Sequence, residues 1–199
     1  MARVRTHTNP LSIKHRFSEN LLDNLDSNLP LDVEIGFGRG VFLRSWAKQN
    51  FNRNIVGIEV RKPIVDILQE RLEKELIKNA FIFHGNGAFF LEDSILDESI
   101  DRLFVFHPDP WFKKRHHKRR VIQKEFLDVA FKKLKPNGLL CVSTDVEVLW
   151  EAMSEDILNN KFKLFADDDF WNNSYNTHWQ EFSIKEKRSL FQKSFIKAI

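Results

Sequence analysis

The chain has 199 residues, 42% of them hydrophobic, and its 31 Lys and Arg nearly balance 28 Asp and Glu. This length fits one domain with a real core and excludes a disordered chain; no stretch approaches ~18 uncharged apolar residues, so no membrane helix is expected. The opening MARVRTHTNP lacks the apolar centre of a secretory signal, and the single cysteine, Cys141, excludes a disulfide framework and a cysteine zinc site, so a reducing, cytoplasmic setting is expected.

Residues 1–29 have no sustained periodicity and are read as a basic N-terminal arm, partly disordered, that ends in a short helix. Arg3, Arg5, Lys14 and Arg16 lie there with no acid in the first eighteen residues. Residues 30–199 are read as the domain proper. A rhythm starts at LDVEIG (31–36), an apolar run that predicts a strand. VFLRSWAKQN (41–50) places Phe42, Leu43, Trp46 and Ala47 at helical spacing, and NIVGIEV (54–60) is a second strand. Pro63 opens a helix with Ile64, Ile67, Leu68, Leu72 and Leu76 expected on one face. AFIFH (80–84) is a third strand, residues 88–93 a turn or short helix, and IDRLFVF (100–106) a fourth strand. VIQKEFLDVAFKKL (121–134) is a helix with Ile122, Phe126, Val129 and Leu134 inward. Asn137-Gly138 then turns into LLCVST, a fifth strand. VEVLWEAMSEDIL is helical, KFKLF is a short strand, and the rest is read as loop and tail. Such alternation predicts an α/β fold, a mostly parallel twisted sheet with helices on both faces. Ligands of such sheets bind beyond the carboxyl ends of the strands, so the residues after each strand matter most.

After the first strand comes Glu34-Ile35-Gly36-Phe37-Gly38-Arg39-Gly40. Glycines at alternate positions allow a tight turn and close approach to a ligand. The third glycine arrives one residue early for a dinucleotide fingerprint. The acid before the first glycine suits S-adenosylmethionine, whose amino-acid end is cationic; an ordinary glycine-rich turn is the alternative. Glu59 ends the second strand, where an acid can accept from both ribose hydroxyls. Asn86, between Gly85 and Gly87, has the donor and acceptor to meet an adenine edge, or is simply a turn.

The fourth strand leads into His107-Pro108-Asp109-Pro110-Trp111-Phe112 and then KKRHHKRR (113–120). Without that octapeptide the chain counts 25 basic to 28 acidic residues, so the small net charge sums an acidic body and basic patches. Two prolines fix the backbone around Asp109. Trp111 and Phe112 can stack on bases and the cations can hold phosphates, which points to nucleic acid. After the fifth strand, Asp145 is either a second rim carboxylate or a helix cap. The seven histidines show no metal pattern.

EIGFGRG (34–40), GIEV (57–60), PDPWFKKRHHKRR (108–120) and STD (143–145) together closely resemble the bacterial tRNA (guanine-N7-)-methyltransferases. The resemblance runs from about Leu31 to Trp150 and continues weakly into the tail. It implies a Rossmann-like class I S-adenosylmethionine-dependent fold and methylation of N7 of guanine 46 in the tRNA variable loop. By that likeness the loop Gly36, Gly38 and Gly40 with Glu34, Glu59, Asn86 and Asp109 bind the cofactor. Asp109 is also the carboxylate of the catalytic site, and Lys113, His116, Arg119 and Asp145 contact the substrate. The family's Thr-x-x-Glu motif falls at Thr177, with Gln180 at the acid's place and Glu181 one residue later. His107 stands where the family usually has Phe. A base-amine or protein methyltransferase and a non-catalytic RNA-binding module are the competing classes. The chain is expected to act without metal or membrane, as a monomer or a homodimer.

Overall fold

The computed structural model describes residues 8–23 and 25–198. In chain order the elements are β1 (Leu31–Ile35), α1 (Val41–Gln49), β2 (Asn54–Glu59), α2 (Lys62–Lys74), β3 (Ala80–His84), α3 (Gly87–Ser94) and β4 (Ile100–Phe106). There follow α4 (Lys124–Lys133), β5 (Leu134–Thr144), α5 (Glu147–Asn159), β6 (Phe162–Phe165), α6 (His178–Lys185) and β7 (Phe191–Lys197). One seven-stranded sheet results, in the order β3-β2-β1-β4-β5-β7-β6. β7 inserts antiparallel between β5 and β6, and the other neighbouring pairs are parallel. The order reverses between β1 and β4, which opens a crevice at their carboxyl ends.

The central strands read as unbroken apolar runs because both faces of the sheet are covered. On β4, Leu103 and Val105 face a core shared with Phe90, Leu127 and Met153 of α3, α4 and α5. The alternate residues Phe104 and Phe106 face Phe42 and Trp46 of α1 and Phe170 of a π-helical turn, Phe170–Ser174. Rings Phe42 and Phe104 meet edge to face at 4.8 Å, a geometry worth more than its buried area alone.

Several expectations shift in detail. Ile67 and Leu76 are exposed rather than inward, and Val65, Leu68 and Leu72 make the buried stripe of α2. Leu76 lies beyond the helix end at φ 54°. Leu134 starts β5 instead of ending α4, and Leu127 and Ala130 are buried where Val129 is only half-buried. The tail holds α6 and the inserted strand β7, neither anticipated. Of the basic arm, Arg3 and Arg5 lie outside the described residues. Two 3-10 turns, Pro10–Ser12 and Glu19–Leu22, take the place of a helix, the first bonded to Asn86 at the start of α3 and the second packed against α3. There Phe17 packs edge to face on Phe90 at 5.3 Å, and Arg16 pairs with Glu92 and Asp93.

Candidate active site

A cavity of about 320 Å³ opens at the crevice, lined from β1 by Glu34, from β2 by Glu59 and from the loop after β4 by Asp109 and Trp111. Arg119 and Thr177 complete its outer wall.

Glu34 lies mid-sheet in β1, facing Gly57 of β2 and Phe104 of β4, and is 3% exposed. Its Oε2 is buried and has no hydrogen-bond partner among the described residues. Burial first, and the nearby charge of Glu59 second, push its carboxyl up to about 8. Leaving a buried acceptor unsatisfied costs ~1–3 kcal/mol, so the site is built for a ligand donor.

The glycine loop divides its labour. Gly36 (φ 78°) lines the cavity, and a Cβ there would meet nothing within 4 Å, so the loop leaves open space over the strand end. Gly40 (φ 67°) caps α1 and does not line the cavity; a Cβ there would overlap Leu68 of α2. Gly38 donates its N–H to Glu59 Oε2 at 3.0 Å. Glu59 also accepts from the Arg61 backbone N–H at 3.1 Å and from its guanidinium Nε and Nη2 at 2.9 and 3.0 Å.

Asn86 is not on the cavity wall. Its Oδ1 caps α3 by accepting from Ala88 N at 2.9 Å, and its amide donates to Pro10 O at 3.1 Å. The donor expected to meet an adenine edge is thus engaged by the N-terminal segment and the acceptor by α3, while Thr8 and Pro10 of that segment line the cavity.

The loop after β4 bends sharply: His107 and Trp111 have φ of 46° and 44°, flanking the two prolines around Asp109. Asp109 lines the cavity. Trp111 is buried against it, with the Arg119 guanidinium 4.9 Å above its ring and His116 edge-on at 5.8 Å. Phe112 points outward at 69% exposed. Lys113 precedes a 3-10 helix, Lys114–Arg119. Lys113, Lys114, Arg115 and Lys118 are exposed, and none has a carboxylate within 4.0 Å among the described residues. Desolvation first, then the charges of Arg119, Arg115, Lys113 and Lys118, lower the His116 imidazole pKa. Lys113 and His116 stand beside the cavity rather than in its wall.

Asp145 neither lines the cavity nor caps α5, whose N-cap is Val146. Its side chain, 1% exposed, accepts from Ser183 Oγ at 3.0 Å and Arg188 Nη1 at 3.1 Å. His107 Nδ1 lies 3.8 Å away, and its Nε2 is 2.9 Å from Tyr175 Oη, which is 2.7 Å from Ser143 Oγ. This buried network ties the ends of β4 and β5 to the C-terminal segment, and the sequence carried no signal for it beyond the unusual His107.

Thr177 reaches the cavity as the N-cap of α6. Its Oγ1 accepts from Gln180 N at 2.9 Å, and Gln180 Oε1 accepts from Thr177 N at 3.2 Å, a complete capping box. Gln180 therefore occupies the register of the motif's acid, and Glu181 is exposed and off the wall. Trp179, Phe182 and Arg61, also on the wall, were missed from sequence; only Arg61, two residues beyond Glu59, had a positional signal.

An orphan carboxylate, a glycine cradle and a second acid at the end of β2 fit a ligand with a cationic amino-acid end and a ribose. Residues 28–198 match a family model described as "Putative methyltransferase". Among solved structures, the 16S rRNA methyltransferase KamB superposes with a TM-score of 0.67 at 14% identity, over 93% of this chain and 96% of that one. A SAM-dependent methyltransferase from Aquifex aeolicus superposes with a TM-score of 0.59 at 13% identity, over 90% of this chain and 93% of that one. Fold and family model together define a Rossmann-like methyltransferase.

The curated relatives narrow the class. The tRNA (guanine-N(7)-)-methyltransferase of Prochlorococcus marinus strain AS9601 is 34% identical over 208 aligned positions, covering 98% of this chain and 100% of that protein. The protein of the same name from strain MIT 9515 is 37% identical, covering 87% of each chain. The chain belongs to the tRNA (guanine-N7-)-methyltransferase family.

Proposed function

We propose that the protein transfers a methyl group from S-adenosylmethionine to N7 of guanine 46 in the tRNA variable loop. One observation carries this reading: Asp109, the buried acids Glu34 and Glu59, and Arg119 share one cavity, whose rim continues into cations with no carboxylate partners among the described residues. An acidic interior suits a cationic cofactor, and a basic rim suits RNA.

Guanine N7 has a free lone pair and no proton, so no general base is required. When bound, S-adenosylmethionine supplies a methyl group already made electrophilic by its sulfonium. Glu34 offers its unpartnered oxygen to the cationic amine, and Glu59 takes the ribose hydroxyls. Asp109 faces the purine, where its carboxylate stabilises the positive charge that develops on the ring and accepts from the guanine N1–H and amino group. Alignment of this kind supplies ~7–11 kcal/mol of a barrier. Lys113, His116 and Arg119 hold the RNA backbone. Asp145 acts at one remove by anchoring α6, whose Thr177 borders the target base. Residues 30–199 are the catalytic unit, and residues 1–29 an appended basic arm.

Labelled cofactor and an unmodified tRNA transcript test the reading, with a transcript carrying adenine at position 46 beside it. The expected product is 7-methylguanosine at that position and none from the altered transcript. Label on an amine or at another base would overturn it.

A further inference from the structure

Glu59 is a heavily engaged carboxylate of the cavity. An ionised carboxylate offers about four lone-pair positions, and in this protein all are taken: two by the guanidinium of Arg61, two by the backbone N–H groups of Arg61 and Gly38. The Glu59 side chain is only 3% exposed, so water is no alternative partner. Two ribose hydroxyls therefore find no acceptor position until a donor leaves.

The backbone donors are fixed by the glycine loop and by the start of α2. The guanidinium sits on a flexible stem, 37% exposed, and lines the cavity together with Arg39 and Arg119. Its pKa is raised, first by the bond to Glu59, and the charge of Asp109 also acts on it. Arg61 thus stands between the acid meant for the cofactor and the acid meant for the base.

We propose that Arg61 is a latch on Glu59 that the ribose displaces, and that its released guanidinium joins the RNA-facing cations, so that cofactor binding strengthens tRNA binding. This rests on the reading of Glu59 as the ribose acceptor. Coupling between sites is reciprocal, so tRNA equally strengthens cofactor binding. Arg61 is a positioning residue here, because it touches neither methyl nor base.

The test uses binding, not turnover. S-adenosylhomocysteine and its 2′,3′-dideoxy analogue are titrated calorimetrically into the wild type and Arg61→Met, whose folding is checked by its melting curve. Unmodified tRNA is then titrated with and without saturating S-adenosylhomocysteine across a salt series. Arg61→Met should bind S-adenosylhomocysteine several-fold more tightly than the wild type and prefer it strongly over the dideoxy analogue. In the wild type, S-adenosylhomocysteine should raise tRNA affinity about fivefold or more, and steepen the salt slope by about one phosphate contact. Arg61→Met should lose both effects. If that variant does not discriminate against the dideoxy analogue, the ribose reading of Glu59 fails and the latch with it. If it discriminates but binds S-adenosylhomocysteine no more tightly than the wild type, or keeps the tRNA coupling, the latch is wrong while the ribose reading stands.

Discussion

Glu34 is held in a protonation state at odds with its proposed task. Its folded-state pKa is raised from an ordinary 4.5 to about 8, so between those values the folded protein binds more protons than the unfolded chain. Stability from this group is therefore full at low pH and is lost as pH rises through that window, at about 1.4 kcal/mol per pKa unit of difference. Glu34→Gln should gain melting temperature relative to the wild type as pH goes from 5 to 8, and should weaken cofactor binding. Parallel melting curves across that range would refute the burial argument. For Asp109, replacement by Ala should cut turnover by about 10²–10³-fold, while the melting temperature moves little, because the residue sits at the cavity mouth; near-normal turnover would remove it from the mechanism. Glu34, Glu59 and Asp109 were legible because they sit near the carboxyl ends of apolar strands: Glu34 next to last in β1, Glu59 at the end of β2 and Asp109 three residues beyond β4. The second partners of Asn86 and Asp145 were not. Pro10 lies 76 residues from Asn86, and Arg188 lies 43 from Asp145, and no local pattern records such pairings.

Among the elements, the glycine loop and the start of α6 separate packing from binding. Gly40→Ala combines a left-handed backbone with overlap onto Leu68, and should destabilise by about 2–4 kcal/mol. Gly36→Ala meets open space, so only the backbone term of about 1–2 kcal/mol applies, and its main effect should fall on cofactor affinity. Equal unfolding losses for the two would contradict this division. Thr177→Ala removes the capping box and should cost about 1 kcal/mol in chemical denaturation, whereas Gln180→Glu, which keeps a capping-box residue, should be nearly neutral. The motif at Thr177 is readable in sequence as a cap, since Thr-x-x-Gln is itself a capping-box spelling. Its contribution to a cavity wall depends on where α6 docks, through Ser183 and Arg188 on Asp145. β7 escaped because the insertion of a C-terminal strand between β5 and β6 is a long-range choice that leaves no periodicity of its own.

For the whole molecule, charge is partitioned by the sheet. Asp32 and Arg53 pair at the opposite end of β1 from the cavity, as do Lys135 and Asp101 near the start of β4, while the octapeptide 113–120 keeps its exposed cations. Affinity for tRNA should fall steeply with salt, and Arg119→Ala should reduce the slope by about one contact; an unchanged slope would place the RNA elsewhere. Because Arg16 is already neutralised by Glu92 and Asp93, the described part of the basic arm should contribute less to that slope than its composition suggests. The alternating α/β order, the loops that carry the acids, and the clustering of cations beside Asp109 are written locally, as patterns of hydropathy, glycine and charge. The tertiary structure alone decided that Glu34 is desolvated, that Arg61 occupies Glu59, that Asp145 serves as an anchor, and that the C-terminal segment closes the wall. Those outcomes depend on which buried groups are left to find one another once the strands pair, and a pKa or a saturated lone pair is a property of that enclosure.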